Sequence, residues 1–123
     1  GTRFALTDES SASDIFKEYC LRLNEGDTKL LLKKLAPTRL VTNSFRDRVE
    51  AAEGRGASAE ELRELLGRGR AKKGIFEGDL EEGELEIGQV AALFRRRQSV
   101  DEVMKELLEG YRRASDKIRS AGL

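Results

Sequence analysis

Apolar positions along the chain fall into short groups whose spacing changes several times. Between residues 13 and 23, Ile15, Phe16, Tyr19, Cys20 and Leu23 recur at helical spacing, with Ser13 or Asp14 placed to cap. Asn24-Glu25-Gly26-Asp27 stops that helix. Lys29-Leu30-Leu31-Leu32 and Arg39-Leu40-Val41-Thr42 flank a turn at Ala36-Pro37-Thr38 and read as a hairpin, although Leu and Lys also suit a helix. Asn43 or Ser44 then caps a helix with Phe45, Val49 and Ala52 on one face, ended by Gly54-Arg55-Gly56.

The second half is more clearly helical. Ser58-Ala59-Glu60-Glu61 has the form of a capping box, followed by Leu62, Leu65 and Leu66 on one side of a short helix. Gly67-Arg68-Gly69-Arg70 is too rich in glycine to continue it, and Ile75-Phe76 reads as a short strand. Residues 77–88 form an acidic, glycine-containing loop. Ile87, Val90, Ala91 and Phe94 predict a further helix. Ser99-Val100-Asp101-Glu102 is a second capping box and opens the strongest helix, with Val100, Val103, Met104, Leu107, Leu108, Tyr111 and Ile118 on one side. At the start of the chain, residues 1–6 read as a strand end or the turn after one.

Composition narrows the function. The 123 residues suit one domain of ordinary size. Lys and Arg number 23, as do Asp and Glu, and this zero formal charge argues against a general binder of nucleic acid or anionic membrane. No apolar run approaches the ~20 residues that span a bilayer. The single Cys20 has no internal partner, so a cytoplasmic, reducing setting is expected. With no His, the chain holds no His-based triad, general base or zinc site.

Two groups of residues suit ligand chemistry. In Gly1-Thr2-Arg3-Phe4 the glycine lets a backbone approach an anion and the threonine hydroxyl donates a hydrogen bond, as in a phosphate site. Its plainer reading is a structural strand end. Glu77-Gly78-Asp79, Gly83 and Gly88-Gln89 form the second group, in which Gln89 offers both donor and acceptor. Here the plainer reading is an acidic loop before a helix start. The basic clusters Arg68, Arg70, Lys72, Lys73 and Arg95-Arg96-Arg97 read as solvated faces with local ion pairs.

Taken in order, Gly1-Thr2-Arg3-Phe4, Glu9-Ser10, Lys17, Asp27-Thr28, Arg39, Asn43, Glu77-Gly78-Asp79, Gly83 and Gly88-Gln89-Val90-Ala91 resemble the C-terminal third of the nitronate monooxygenases, also called 2-nitropropane dioxygenases. The flavin-dependent enoyl-acyl-carrier-protein reductases are similar. The resemblance implies an α/β fold: the C-terminal part of an FMN-binding (β/α)8 barrel with a small second domain, this chain being mostly α-helical with a few short strands. It divides the chain into residues 1–26, the last strand end and following helix; residues 27–97, a small domain covering the flavin; and residues 98–123, a helix returning to the barrel. It places Gly1 and Thr2 at the FMN phosphate and Gly88 and Gln89 near the flavin ring, with no catalytic residue and no metal ligand in this chain. The implied parent oxidises a small-molecule nitronate, and the chain's partner is the N-terminal barrel portion of the same protein, with a homo-oligomer as a further expectation. The family's catalytic histidine and preceding strands have no counterpart here, so the chain alone is expected to be inactive. Two alternatives stand beside this: an NAD(P)H-dependent enoyl-acyl-carrier-protein reductase on the same scaffold, and a non-catalytic helical interaction module.

Overall fold

The computed structural model describes residues 1–122. Leu123, the last residue of the segment 98–123, lies outside the described residues. The order of elements is α1 (Thr2–Ala5), α2 (Asp14–Cys20), β1 (Thr28–Leu31), β2 (Thr38–Val41), α3 (Ser44–Gly54), α4 (Ala59–Leu66), a π-helical turn (Lys72–Phe76), a 3-10 turn (Gln89–Leu93) and α5 (Val100–Ser120).

Side-chain caps fix most helix starts. Ser13, Asn43 and Ser58 accept the backbone N–H of Phe16, Arg46 and Glu61, each three residues on. At Ser99 both halves of the box form, because Glu102 returns to the Ser99 N–H. A cap of this kind is worth ~1 kcal/mol.

The antiparallel hairpin pairs Thr28 with Val41 and Leu31 with Thr38. Alternation along the strands sends its side chains to two different clusters. Val41 joins Leu6, Phe16, Cys20, Leu21, Leu85 and Ile87 on one side. Leu31 and Leu40 join Phe45, Val49 and Leu62 of α3 and α4 on the other. The hairpin is thus the partition between two apolar clusters, which explains why its strands carry so many leucines. Just past β1, Leu32 sits at φ 58, a left-handed conformation that costs an L-residue strain. Its side chain is buried and the Glu53 carboxylate takes its N–H, and together these hold it there.

Residues 84–87 differ from the loop predicted for them. Glu86 bridges Leu40, and the Val41 N–H donates to the Leu85 carbonyl at 2.9 Å, so this segment lies along β2. Gly83 makes that possible. A Cβ there would stand 2.2 Å from the Cα of Gly74, so the two glycine backbones touch. Ile75-Phe76, predicted as a strand, belongs to the π-helical turn instead, and the Ile75 carbonyl accepts the Ser13 N–H at 2.8 Å.

Two further expectations change. The helix predicted from Ile87 shrinks to the 3-10 turn, because extended backbone at Gly88 and Phe94 bounds it; Ile87 and Ala91 are buried but Val90 is exposed. On α5, only Val103 of the long apolar stripe is buried, while Met104, Leu107, Leu108, Tyr111 and Ile118 face outward. No helix among the described residues is long and apolar enough to cross a membrane.

Candidate functional site

The first residues of the chain form one helical turn, the second of the two readings given to them from the sequence. Gly1 is its N-cap and the Gly1 carbonyl accepts the Ala5 N–H at 3.0 Å. Thr2 is thereby turned toward the segment that leaves β2's edge. Its Oγ1 accepts the Gly88 N–H at 3.0 Å. A Cβ at Gly88 would stand 2.3 Å from that oxygen, so only glycine permits the contact. A hydroxyl that accepts one bond still has its own proton to give. Among the described residues, no acceptor takes the Thr2 proton. Around the position of a Cβ on Gly1 there is nothing within 4 Å.

Gly1, Thr2 and Gly88 line one open depression of about 600 Å³, together with Arg39 and Glu86. Gln89 lines a second, of about 620 Å³, with Thr28, Val90 and Arg95. The Gly88-Gln89 step separates the two, and the Arg39 guanidinium reaches Thr28 Oγ1 across the same boundary at 3.4 Å. Three of the four residues singled out from the sequence therefore converge, and Gln89 stands on the adjoining surface. Arg39 gives the first depression a cation, and its position follows from pairing with Leu30 across the hairpin.

The carboxyl pair Glu84 and Glu86 was invisible in the sequence, where both look like members of an acidic loop. Alternation along residues 84–87 sets them on the same side of an extended segment. Burial and the adjacent Glu86 carboxyl push Glu84 up to about 7, with Arg70 opposing. Asp79 of the same loop is used locally: Oδ1 accepts the Glu82 N–H at 2.9 Å and the Glu81 N–H at 3.1 Å, which holds its carboxyl below the ordinary value. Burial pushes the Cys20 thiol up to about 12, so it stays an inert apolar side chain.

The first basic cluster is paired locally at three of its residues, as the sequence suggested. In the second, Arg95 bonds the Leu21 and Leu23 carbonyls and Arg97 finds its carboxylates far away in sequence. Arg70 meets Glu82, Lys72 meets Glu77 and Lys73 meets Asp79. Arg97 is surrounded by Asp8, Asp14 and Glu18. Arg3 bonds Glu106 of α5 and lies 5.5 Å from the Phe94 ring centre, which ties α1 to the last helix. Among the described residues no three His, Cys, Asp or Glu side chains gather as a metal ion would require.

Comparison with known proteins places this arrangement. The profile of the nitronate monooxygenase family matches residues 1–110. The solved structure of FabK from Thermotoga maritima is 27% identical, with a TM-score of 0.85 over 98% of this chain and 38% of that one. A single-residue mutant of the same FabK is 25% identical, with a TM-score of 0.80 over 98% of this chain and 35% of that one. No protein among those with curated functions matches. The chain thus spans less than two fifths of the FabK chains. It has the expected α/β fold of part of a barrel, mostly helical with two short strands.

Proposed function

Because the chain belongs to the nitronate monooxygenase family, we propose that it is the flavin-holding C-terminal part of an FMN-dependent enzyme that oxidises nitronates. One observation carries the reading. Thr2 and Gly88, from the two segments that the family resemblance assigns to the flavin, are 86 residues apart in sequence and joined by one hydrogen bond. The residues present suit a phosphate: open space at Gly1, a hydroxyl proton to donate at Thr2, and Arg39 among the residues that line the same depression.

In this reading the Gly1 backbone and Thr2 hydroxyl bind the phosphate. Gly88 holds Thr2 in place, and Gln89 offers its amide to the ring from the adjoining depression. When bound, FMN supplies the electron transfer from the carbon acid to oxygen. Residues 27–97 cover the flavin. Residues 98–123 dock on the N-terminal barrel portion, and the outward residues of α5 are the apolar surface for it, since a patch of this kind is seldom left in water.

A second reading is NAD(P)H-dependent reduction of an enoyl thioester on the same scaffold, and the likeness to FabK over 98% of the chain is the observation in its favour. The two separate in one assay of the full-length protein loaded with FMN. Oxygen consumption that depends on a simple alkyl nitronate and exceeds that of free FMN supports the first. NAD(P)H oxidation that depends on an enoyl thioester, without nitronate turnover, replaces it with the second. A flavin-loaded protein that does neither overturns both.

A further inference from the structure

Arg39 carries a charge that the fold does not use. It is half-buried on β2, and among the described residues no carboxylate lies within 4.0 Å of its guanidinium. Its side chain is held only by the long bond to Thr28 Oγ1. The other arginines near the site are engaged: Arg3 by Glu106 and Gln98, Arg95 by the Leu21 and Leu23 carbonyls. Glu86 shares the depression with Arg39 yet makes no ion pair with it. A half-buried cation without a counter-charge has lost part of its hydration, and here one long bond to a hydroxyl is what replaces it. The groups beside it, the Thr2 hydroxyl and the open backbone at Gly1, are donors, and donors together with a cation recognise an anion.

We propose that Arg39 is the residue that selects a phosphate-bearing flavin over an unphosphorylated one, by donating to the phosphate from the depression that Thr2 also lines. The inference rests on the FMN reading above and assigns the side chain that makes it specific. A planar guanidinium presents two parallel donors to phosphate oxygens, which a neutral amide cannot reproduce. Glu86, which lines the same depression, repels a dianion, so the selection depends on the positive charge at position 39.

The test compares FMN with riboflavin, which share the ring and differ in the phosphate. Full-length wild type, Arg39→Gln and Arg39→Lys are titrated with each, following quenching of flavin fluorescence, with circular dichroism and melting of the apo forms as a folding check. Arg39→Gln is expected to weaken FMN binding about 10- to 100-fold, the range for losing a hydrogen bond to a charged group. Riboflavin binding should be unchanged, and Arg39→Lys should recover part of the loss. Wild-type preference for FMN that persists in Arg39→Gln overturns the assignment while leaving the flavin reading intact. Equal losses for both flavins mean that Arg39 is structural and also overturn it. Wild type that binds neither flavin overturns the flavin reading and this inference with it.

Discussion

The Gly88 N–H and the Thr2 hydroxyl oxygen meet at 3.0 Å, and a side chain on residue 88 would occupy the place of that oxygen. The contact closes the chain's first turn onto the segment that runs beside β2. Residue 2 therefore has two tasks, holding Gly88 and facing the depression.

Thr2→Val keeps the shape and removes the hydroxyl, which leaves the Gly88 N–H without its partner. It is expected to weaken FMN binding by about 1–3 kcal/mol, the usual range for losing a bond to a charged group. Flavin fluorescence quenching of the full-length protein measures it, with Glu82→Ala, on the acidic loop, as a control expected to bind normally. Gly88→Ala should both lower the melting temperature and weaken binding, because the new methyl must displace the Thr2 oxygen.

Gly1 offers the opposite case. A Cβ there meets nothing within 4 Å, so Gly1→Val should leave the melting temperature of the apo protein unchanged. If the open space belongs to the phosphate, the same change weakens FMN retention strongly. Equal FMN affinities for wild type and variant would put the phosphate elsewhere.

Glu84 gives a pH dependence whose sign is fixed by its raised value. A carboxyl held near 7 in the folded state, against about 4.5 ordinarily, favours the folded protein most when protonated. Its contribution is complete below about 4.5 and lost as pH rises through about 7. The facing groups are Glu86, which adds to the effect, and Arg70, which opposes it. Glu84→Gln should therefore flatten the fall in melting temperature across that window and raise it at pH 8. Parallel curves for wild type and variant would mean that Glu84 ionises freely in the fold.

The two clusters give a packing contrast. Leu62 of α4 is 0% exposed, and Leu62→Ala should cost about 2–5 kcal/mol in chemical denaturation. Leu107 is 44% exposed, so Leu107→Ala should cost well under that in the chain of 123 residues alone. In the full-length protein the second variant should become comparable to the first, once α5 has its covering surface.

Local chemistry explains what could be read in advance. The helix starts at Ser13, Asn43, Ser58 and Ser99 depend on a side chain and an N–H three residues away, which sequence displays directly. The hairpin was legible to within one residue because its turn and its leucines agree. Residues 84–87 were not, since their place along β2 depends on Gly83 meeting Gly74 and on Val41 finding the Leu85 carbonyl, contacts far apart in sequence. The stripe of Ile87, Val90, Ala91 and Phe94 misled because extended backbone on both sides leaves room for one turn only. At the site, residue types suggested Gly1, Thr2, Gly88 and Gln89, but nothing local linked the first pair to the second. The role of Arg39 becomes visible only once the hairpin brings it beside Thr2.

The touching glycines at 74 and 83 set a limit on how this chain can vary. Where two side chains collide, a larger residue on one side can be offset by a smaller one on the other. Here both positions already hold the smallest residue, and a single methyl at 83 would lie 2.2 Å from its neighbour's Cα. At 83 the nearest atoms are all backbone, so no second-site change can make room there by shrinking a side chain. A variant at Gly83 must move backbone instead, and the backbone that follows it is the segment carrying Glu84, Glu86 and Gly88 toward Thr2. Drift at this crossing is thus transmitted to the depression at Thr2, and random mutagenesis scored by flavin retention should recover no substitutions at Gly83 even though it does not line that depression.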